Sequence, residues 1–146
     1  MRHITLQGIE LIKYYEGFSP TAYLCPAGIR TIGFGHVIRQ GEVFSSAGIS
    51  REEAVEILRR DVVSAEQSVL RLITVPLMDG QFDALVSFAF NLGGGALQRS
   101  TLRRKINRGE HDEVPPELLK WCWVGGRKLV GLLARRRAEA RLYLAS

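Results

Sequence analysis

Cysteine and histidine are scarce in this chain. Its 146 residues include two cysteines, Cys25 and Cys122, and three histidines, His3, His36 and His111. The cysteines stand far apart, form no CxxC pair and have no histidine at metal-ligand spacing. Neither a disulfide framework nor a metal site is therefore expected. Long apolar runs are missing too: nothing approaches the roughly 18 to 20 residues that a membrane-crossing helix needs. The opening MRHITLQGIELIKYYEG lacks the apolar core and small-residue cleavage site of a signal peptide. The chain is read as one made in a cytoplasm, without an export signal of its own. No internal repeat, low-complexity tract or linker divides it.

What is present fits a globular protein. Apolar residues make up 46% and charged residues 24%. A chain this long buries roughly two-thirds of its unfolded surface, so one compact unit, or one with two lobes, folds without a staple. The formal charge of +5 favours polyanionic partners: nucleic acid, anionic lipid or an anionic cell wall.

The pattern changes twice along the chain. Leu6, Ile9 and Ile12 recur near helical spacing behind Thr5, a possible N-cap, and Gly17 suits a left-handed stop. From Phe18 to Phe44, prolines and glycines punctuate short β-branched and aromatic runs, as in small antiparallel strands. Ser50 with Glu53 then forms a capping box. An apolar face from Ala54 through Val69 predicts one long helix to about Leu72. Further helices are expected around Phe82–Phe90, ended by Gly93-Gly94-Gly95, and from Ser100 to near Gly109. Two more are expected after Pro115-Pro116 and from Leu129 to Leu144, where Leu132, Leu133 and Leu142 pack among arginines. The expected fold is α+β.

The densest cluster of unusual residues runs from Tyr15 to His36. Glu16 stands where the first helix ends, and Thr31 and His36 flank the glycine-rich TIGFGH. A carboxyl group at a helix end facing a small sheet, partly shielded from water, can serve as a general acid near neutral pH. Glycosidic cleavage needs such an acid, and a second group that places or activates water. Position alone does not separate a catalytic glutamate from a surface one.

The order and spacing of Glu16, Cys25 and Thr31 resemble the Glu–Asp/Cys–Thr pattern of phage-type lysozymes, glycoside hydrolase family 24. Three blocks carry the resemblance, in the family's order: YEGFSPTAYLCPAGIRTIGFGH, QFDALVSFAFNLGGGALQRSTLRRKIN and WVGGRKLVGLLARRRAEARLY. It extends from about Gly8 to Tyr143. It implies a lysozyme-like fold, with a small N-terminal β-rich lobe and a larger helical lobe joined by a long helix. One domain would span residues 1–146, with the β-rich lobe at about 17–48. The helical lobe would cover about 50–146 together with the N-terminal helix.

The resemblance makes Glu16 the general acid and Thr31 the residue that helps hold the attacking water. Cys25 takes the place more often held by aspartate. A thiol with a pKa of about 8.5 is mostly neutral at pH 7, unlike a carboxylate. Cys25 therefore acts as hydrogen-bond acceptor, base or nucleophile, or is a small polarisable spacer. His36 is expected to pair with Asp61 in a structural role. Asn91 either bonds an N-acetyl group of the substrate or satisfies the helix end. Of Arg127, Arg135, Arg136 and Arg137, most are read as a solvated basic face.

The implied activity is hydrolysis of the β-1,4 bond between N-acetylmuramic acid and N-acetylglucosamine in bacterial peptidoglycan. No cofactor or metal is called for. The implied setting is phage-induced host lysis by a monomer that stays in the host cytoplasm until a holin opens the way to the wall. Neither nucleic-acid binding nor stable membrane insertion is expected. Rival readings are a lytic transglycosylase, which would give Thr31 no water to hold, and a non-catalytic wall-binding module, which would leave the Glu16–Cys25–Thr31 spacing without purpose.

Overall fold

The computed structural model describes residues Met1–Ala145. The fold is α+β, with two small antiparallel sheets among eight α-helices of these residues. Two compact units divide the chain. One is the continuous segment Ile12–Val63, and the other combines Met1–Leu11 with the chain from Ser64 onward.

In the Ile12–Val63 unit, β1 (Ser19–Leu24), β2 (Arg30–Gly33) and β3 (His36–Val37) form a sheet in sequence order. Thr31 pairs with both Tyr23 and Val37, and Ile32 with His36. Side chains alternate across a strand, so Ile32 and His36 share one face. That face is buried, together with Phe34. It packs on α2 (Arg51–Asp61), whose Asp61 meets the His36 ring, and at the end of β2 a Cβ on Gly33 would lie only 3.3 Å from that of Ala54. The helix begins with a complete capping box. The Glu53 N–H donates to Ser50 Oγ at 3.1 Å, and the Ser50 N–H donates to Glu53 Oε1 at 3.3 Å.

The expected long helix is two helices. α2 ends at Asp61 and α3 (Val63–Leu72) follows, with Val62 at φ −77°, ψ −12° between them. The Val62 N–H is shared between the Leu58 and Arg60 carbonyls, which tightens this turn. Only this backbone geometry marks the joint, since neither glycine nor proline stands there.

The second unit is built around α4 (Asp79–Leu92), in which every residue from Phe82 to Ala89 is buried. A helix covered on all sides is the centre of its core. α8 (Val130–Leu144) and α5 (Gly94–Gln98) pack against it, while α6 (Thr101–Asn107) and α7 (Val114–Leu119) continue the unit. Asp83, the carboxylate within that buried run, serves as a cap borne by another element for the start of α1 (Leu6–Glu16). It accepts the Thr5 N–H at 2.9 Å and also the Thr5 hydroxyl. Burial raises the Asp83 pKa against those hydrogen bonds. Gly8 allows this approach, because a Cβ there would stand 2.7 Å from Asp83 Cγ.

The structure refines the local pattern at four places. Gly93 does end α4, with φ +93°, but Gly94 and Gly95 open α5 rather than a loop. Pro115 and Pro116 lie inside the first turn of α7, where a missing N–H breaks no hydrogen bond. Gly125-Gly126 is the turn of a hairpin between β4 (Trp123–Val124) and β5 (Arg127–Lys128). Finally, Arg135 and Arg136 are buried while Arg127 and Arg137 are exposed, so the arginines are not one solvated face.

Candidate active site

Glu16 is the last residue of α1. Gly17 follows at φ +74° and donates its N–H to the Lys13 carbonyl at 3.0 Å, which closes the helix in the left-handed way glycine favours. The Glu16 side chain is half-buried. Its carboxylate lies against the β2–β3 turn, where Gly35 has φ +76° and a Cβ would fall 2.5 Å from Glu16 Oε1. The second glycine of TIGFGH thus leaves the space that the carboxylate uses. Sequence reading treated these glycines as turn punctuation only. The signal for Gly35 was its place in the same block as the glutamate.

Cys25 opens the five-residue loop between β1 and β2. Its N–H donates to the Ile29 carbonyl at 2.9 Å, and its own carbonyl accepts from the Gly28 N–H at 2.8 Å. Pro26 follows Cys25 and Gly28 takes φ +76°, so this is a turn with proline and glycine where the turn chemistry wants them. The loop aims backbone amides at the sulfur. Hydrogen bonds from the Ile29 and then the Ala27 backbone hold the thiol pKa below its ordinary value against the opposing effect of burial. Thr31 is buried, and its hydroxyl donates to the Ile29 carbonyl at 3.0 Å. Cys25 and Thr31 are thereby coupled through one loop. Thr31 and Gly35, the neighbour of the Glu16 carboxylate, are four residues apart, at most ~13 Å of extended backbone.

His36 and Asp61 are also brought together, with Nδ1 2.7 Å from Asp61 Oδ2. The other ring nitrogen, Nε2, lies 3.0 Å from Glu42 Oε1. Carboxylates only accept, so both contacts are hydrogen bonds when the ring carries both protons. Glu42, which sequence reading missed, also accepts the Arg39 N–H at 2.7 Å. That amide, then His36, holds the Glu42 pKa below the usual carboxylate range. Its contribution to stability is present above that range and fades as pH falls through the lowered value. The cluster sits at the C-terminal end of α2. We expect His36→Asn and Asp61→Asn each to cost about 3–5 kcal/mol, because each strands a largely buried partner. The double variant should lose clearly less than the sum, and strictly additive thermal melts would rule out the pairing.

In the other unit, Asn91 is half-buried near the end of α4, and its Oδ1 accepts from Arg136 Nη2 at 2.8 Å. Among the described residues, no group of three His, Cys, Asp or Glu side chains is placed to hold a metal ion. Both cysteines are free thiols.

A family model described as phage lysozyme matches residues 13–139. The chain belongs to the phage lysozyme family. An endolysin of Acyrthosiphon pisum secondary endosymbiont phage 1 is 39% identical over 97% of each chain. Among solved structures, a P22 lysozyme superposes with a TM-score of 0.89 at 35% identity, over 99% of each chain. The muramidase domain of SpmX from Asticaccaulis excentricus superposes at 0.86 with 36% identity, covering 98% of this chain and 99% of that one. The lysozyme-like fold follows from these matches.

The contact between Gly35 and Glu16 can be tested apart from backbone strain. Gly35→Ala and Gly41→Ala both force alanine to a positive φ, +76° and +88°, and each should cost about 1–2 kcal/mol. Only at Gly35 does the new methyl meet a side chain; nothing lies within 4 Å at Gly41. Glu16 Oε1 is the far end of a flexible side chain rather than backbone, so it shifts before the fold does and both variants should still melt cooperatively. A carboxylate displaced by about 1 Å loses roughly 10²-fold in rate, so Gly35→Ala alone should lose lysis. Equal lytic rates for the two variants would remove Gly35 from the site.

Proposed function

We propose that this chain is a muramidase that cuts the β-1,4 bond between N-acetylmuramic acid and N-acetylglucosamine, the reaction of EC 3.2.1.17. Glu16 serves as general acid, and Cys25 with Thr31 orients and polarises the attacking water. As a member of the phage lysozyme family, the chain is a glycoside hydrolase of the bacterial cell wall, an endolysin. One observation carries the assignment of roles. A carboxylate fitted to the space above Gly35 and a thiol lowered in pKa beside Thr31 occur in one folded unit. The first, in its protonated form, can give its proton to a leaving oxygen, and the second, as thiolate, can take one from water.

In this reading residues 1–146 work as a single domain and a monomer. The enzyme accumulates in the host cytoplasm, a holin releases it to the wall, and the result is host lysis. The net charge of +5 suits an anionic wall. No cofactor takes part.

Purified protein added to permeabilised Gram-negative cells tests the activity by loss of turbidity, and mass spectrometry of the soluble products tests the chemistry. Hydrolysis leaves muramic acid ends one water heavier than the anhydro ends of a transglycosylase. Anhydro products would overturn the role given to Cys25 and Thr31, and intact glycan would overturn the enzyme itself.

A further inference from the structure

The segment Trp123–Gly131 is exposed at every residue, although it carries four large apolar side chains. Trp123 keeps 59% of its surface in solvent and Val130 83%, and Val124 and Leu129 are exposed as well. The segment comprises the β4–β5 hairpin and the start of α8. Gly125 and Gly126 turn the hairpin at φ +56° and +77°, as a tight two-residue turn requires. The Leu129 N–H closes its base on the Cys122 carbonyl at 2.8 Å. Trp123 stands opposite Lys128, and Val124 opposite Arg127. Cross-strand partners share a face, so each face of the ribbon carries one apolar and one cationic side chain. All four are exposed, so neither face is covered. A two-stranded ribbon with no core behind it is marginal in water. Contiguous exposed apolar groups mark a surface that meets something else.

The charges identify the kind of partner. The Ile12–Val63 unit holds six basic and six acidic residues, so the excess of +5 belongs entirely to the other unit. From Trp123 to Leu144 the only acidic residue is Glu139, which is fully buried, while Arg127, Lys128, Arg137 and Arg141 are exposed. None of these four cations has an ion-pair partner among the described residues. Arg137 and Arg141 follow Val130 at helical spacing along the solvent side of α8. Such a surface complements an extended anion. The apolar side chains narrow the choice. A hydrated polyanion such as a nucleic acid gains nothing from Val124, Leu129 and Val130, whereas a bilayer takes them up below its headgroups. The dimensions agree. The two rungs behind the glycine turn span ~7 Å of strand, and interfacial elements enter by about 5–10 Å. Tryptophan settles at headgroup level, while lysine and arginine lay their stems along apolar groups and keep their charges among the phosphates.

We propose that the β4–β5 hairpin is a membrane-contact element that seats reversibly in the headgroup region of an anionic phospholipid bilayer. Trp123, Val124 and Val130 enter the interface, and Arg127 and Lys128 hold lipid phosphates. No helix of the described residues is long and apolar enough to cross a membrane, and this contact is peripheral. The inference does not depend on the muramidase reading, because its readout is adsorption and not cleavage.

Co-sedimentation of the intact chain with large vesicles is the test. The protein should pellet with vesicles of phosphatidylethanolamine and phosphatidylglycerol, and stay in solution with phosphatidylcholine alone. R127Q/K128Q should weaken binding to the anionic vesicles about thirtyfold, the worth of two cations near such a surface. Trp123→Ser should weaken it about tenfold, the share of a partly buried aromatic. It should also remove the blue shift of tryptophan emission on binding, with Trp121 present in both proteins. R59Q/R60Q takes the same two charges from the electroneutral unit and should bind as the wild type does. All of these side chains are exposed, so each variant should melt near the wild-type temperature.

A wild type that stays in solution with anionic vesicles would overturn the proposal. So would equal weakening by R59Q/R60Q and R127Q/K128Q, since net charge alone is then at work. Unchanged binding in Trp123→Ser would do the same, because nothing then enters the interface. Duplex DNA at the same phosphate concentration tests the rival polyanion. If R127Q/K128Q and Trp123→Ser weaken a DNA complex as much as the vesicle complex, the face is a nucleic-acid surface and the membrane assignment falls.

Discussion

Glu16→Gln should reduce lysis by about 10²–10⁴-fold, the usual worth of a general acid, while the variant still melts cooperatively. The substitution keeps the shape of the side chain. The helix stop does not depend on the carboxylate, because the Gly17 N–H closes α1 on the Lys13 carbonyl. The space above Gly35 accepts an amide as readily as a carboxylate, since a Cβ there is the group that has no room. What the amide lacks is a proton it can transfer to the leaving glycosidic oxygen. The loss should therefore appear in kcat, with fragment binding retained. Glu16→Gln removes the charge and the proton together, so Glu16→Asp is the variant that separates proton delivery from a purely electrostatic role. If Glu16 only stabilised charge on the substrate, Glu16→Asp would keep most of the activity at the shorter reach. If it must deliver a proton to one oxygen, Glu16→Asp should lose nearly as much as Glu16→Gln. More than about a tenth of wild-type activity in the glutamine variant would show that another group is the acid.

The sequence carried the site better than it carried its surroundings. The stop of α1 and the start of α2 were legible because Gly17 and the Ser50–Glu53 box are written in neighbouring residues, whereas Thr5, expected to cap α1, instead donates to Asp83 far along the chain. The β1–β2 hairpin was legible in outline through Pro26 and Gly28, but the aim of its amides at Cys25 is a tertiary result of one turn geometry. The break at Val62 has no local signal at all, because valine tolerates the αR conformation on either side of it. Arg135 and Arg136 misled for the opposite reason. Runs of arginine usually mark a wet face, and only contacts with Ser87, Asn91 and Glu139 from α4 and the next turn of α8 reveal a buried network. Family resemblance supplied what periodicity could not, the identity of Glu16, Cys25 and Thr31 as a set. It did not supply Gly35 or Glu42, whose meaning lies in what their neighbours need: space for a carboxylate and a second acceptor for His36.

Cys25→Ala should lose about 10²-fold in lytic rate, whereas Cys25→Asp should remain active with a changed pH dependence. In the wild type, the Ile29 and Ala27 amides and the Thr31 side chain stabilise the thiolate. A water-activating thiolate then makes the rate rise with pH through a pKa lying below the ordinary thiol value of about 8.5. The sign for stability agrees. The ionised thiol contributes above its ordinary pKa, and that contribution is lost as pH falls through the lowered one. In Cys25→Asp the base is a carboxylate with an ordinary pKa of about 3.9, so the rising limb should move several pH units down. Cys25→Ser should fall between the alanine and aspartate variants, because a hydroxyl holds water but is a poor base. All rates should be measured under reducing conditions in a background of Cys122→Ala, since Cys122 is a second thiol, though buried. A thiol-blocking reagent is weaker evidence, because its bulk alone can stop the enzyme. The pH profile is the sharper measurement, since a spacer at this position has no proton to lose. If Cys25→Ala matches the wild type, or if Cys25→Asp keeps the wild-type limb unshifted, Cys25 takes no part in the proton transfer. Water is then held by Thr31 and driven by Glu16 alone.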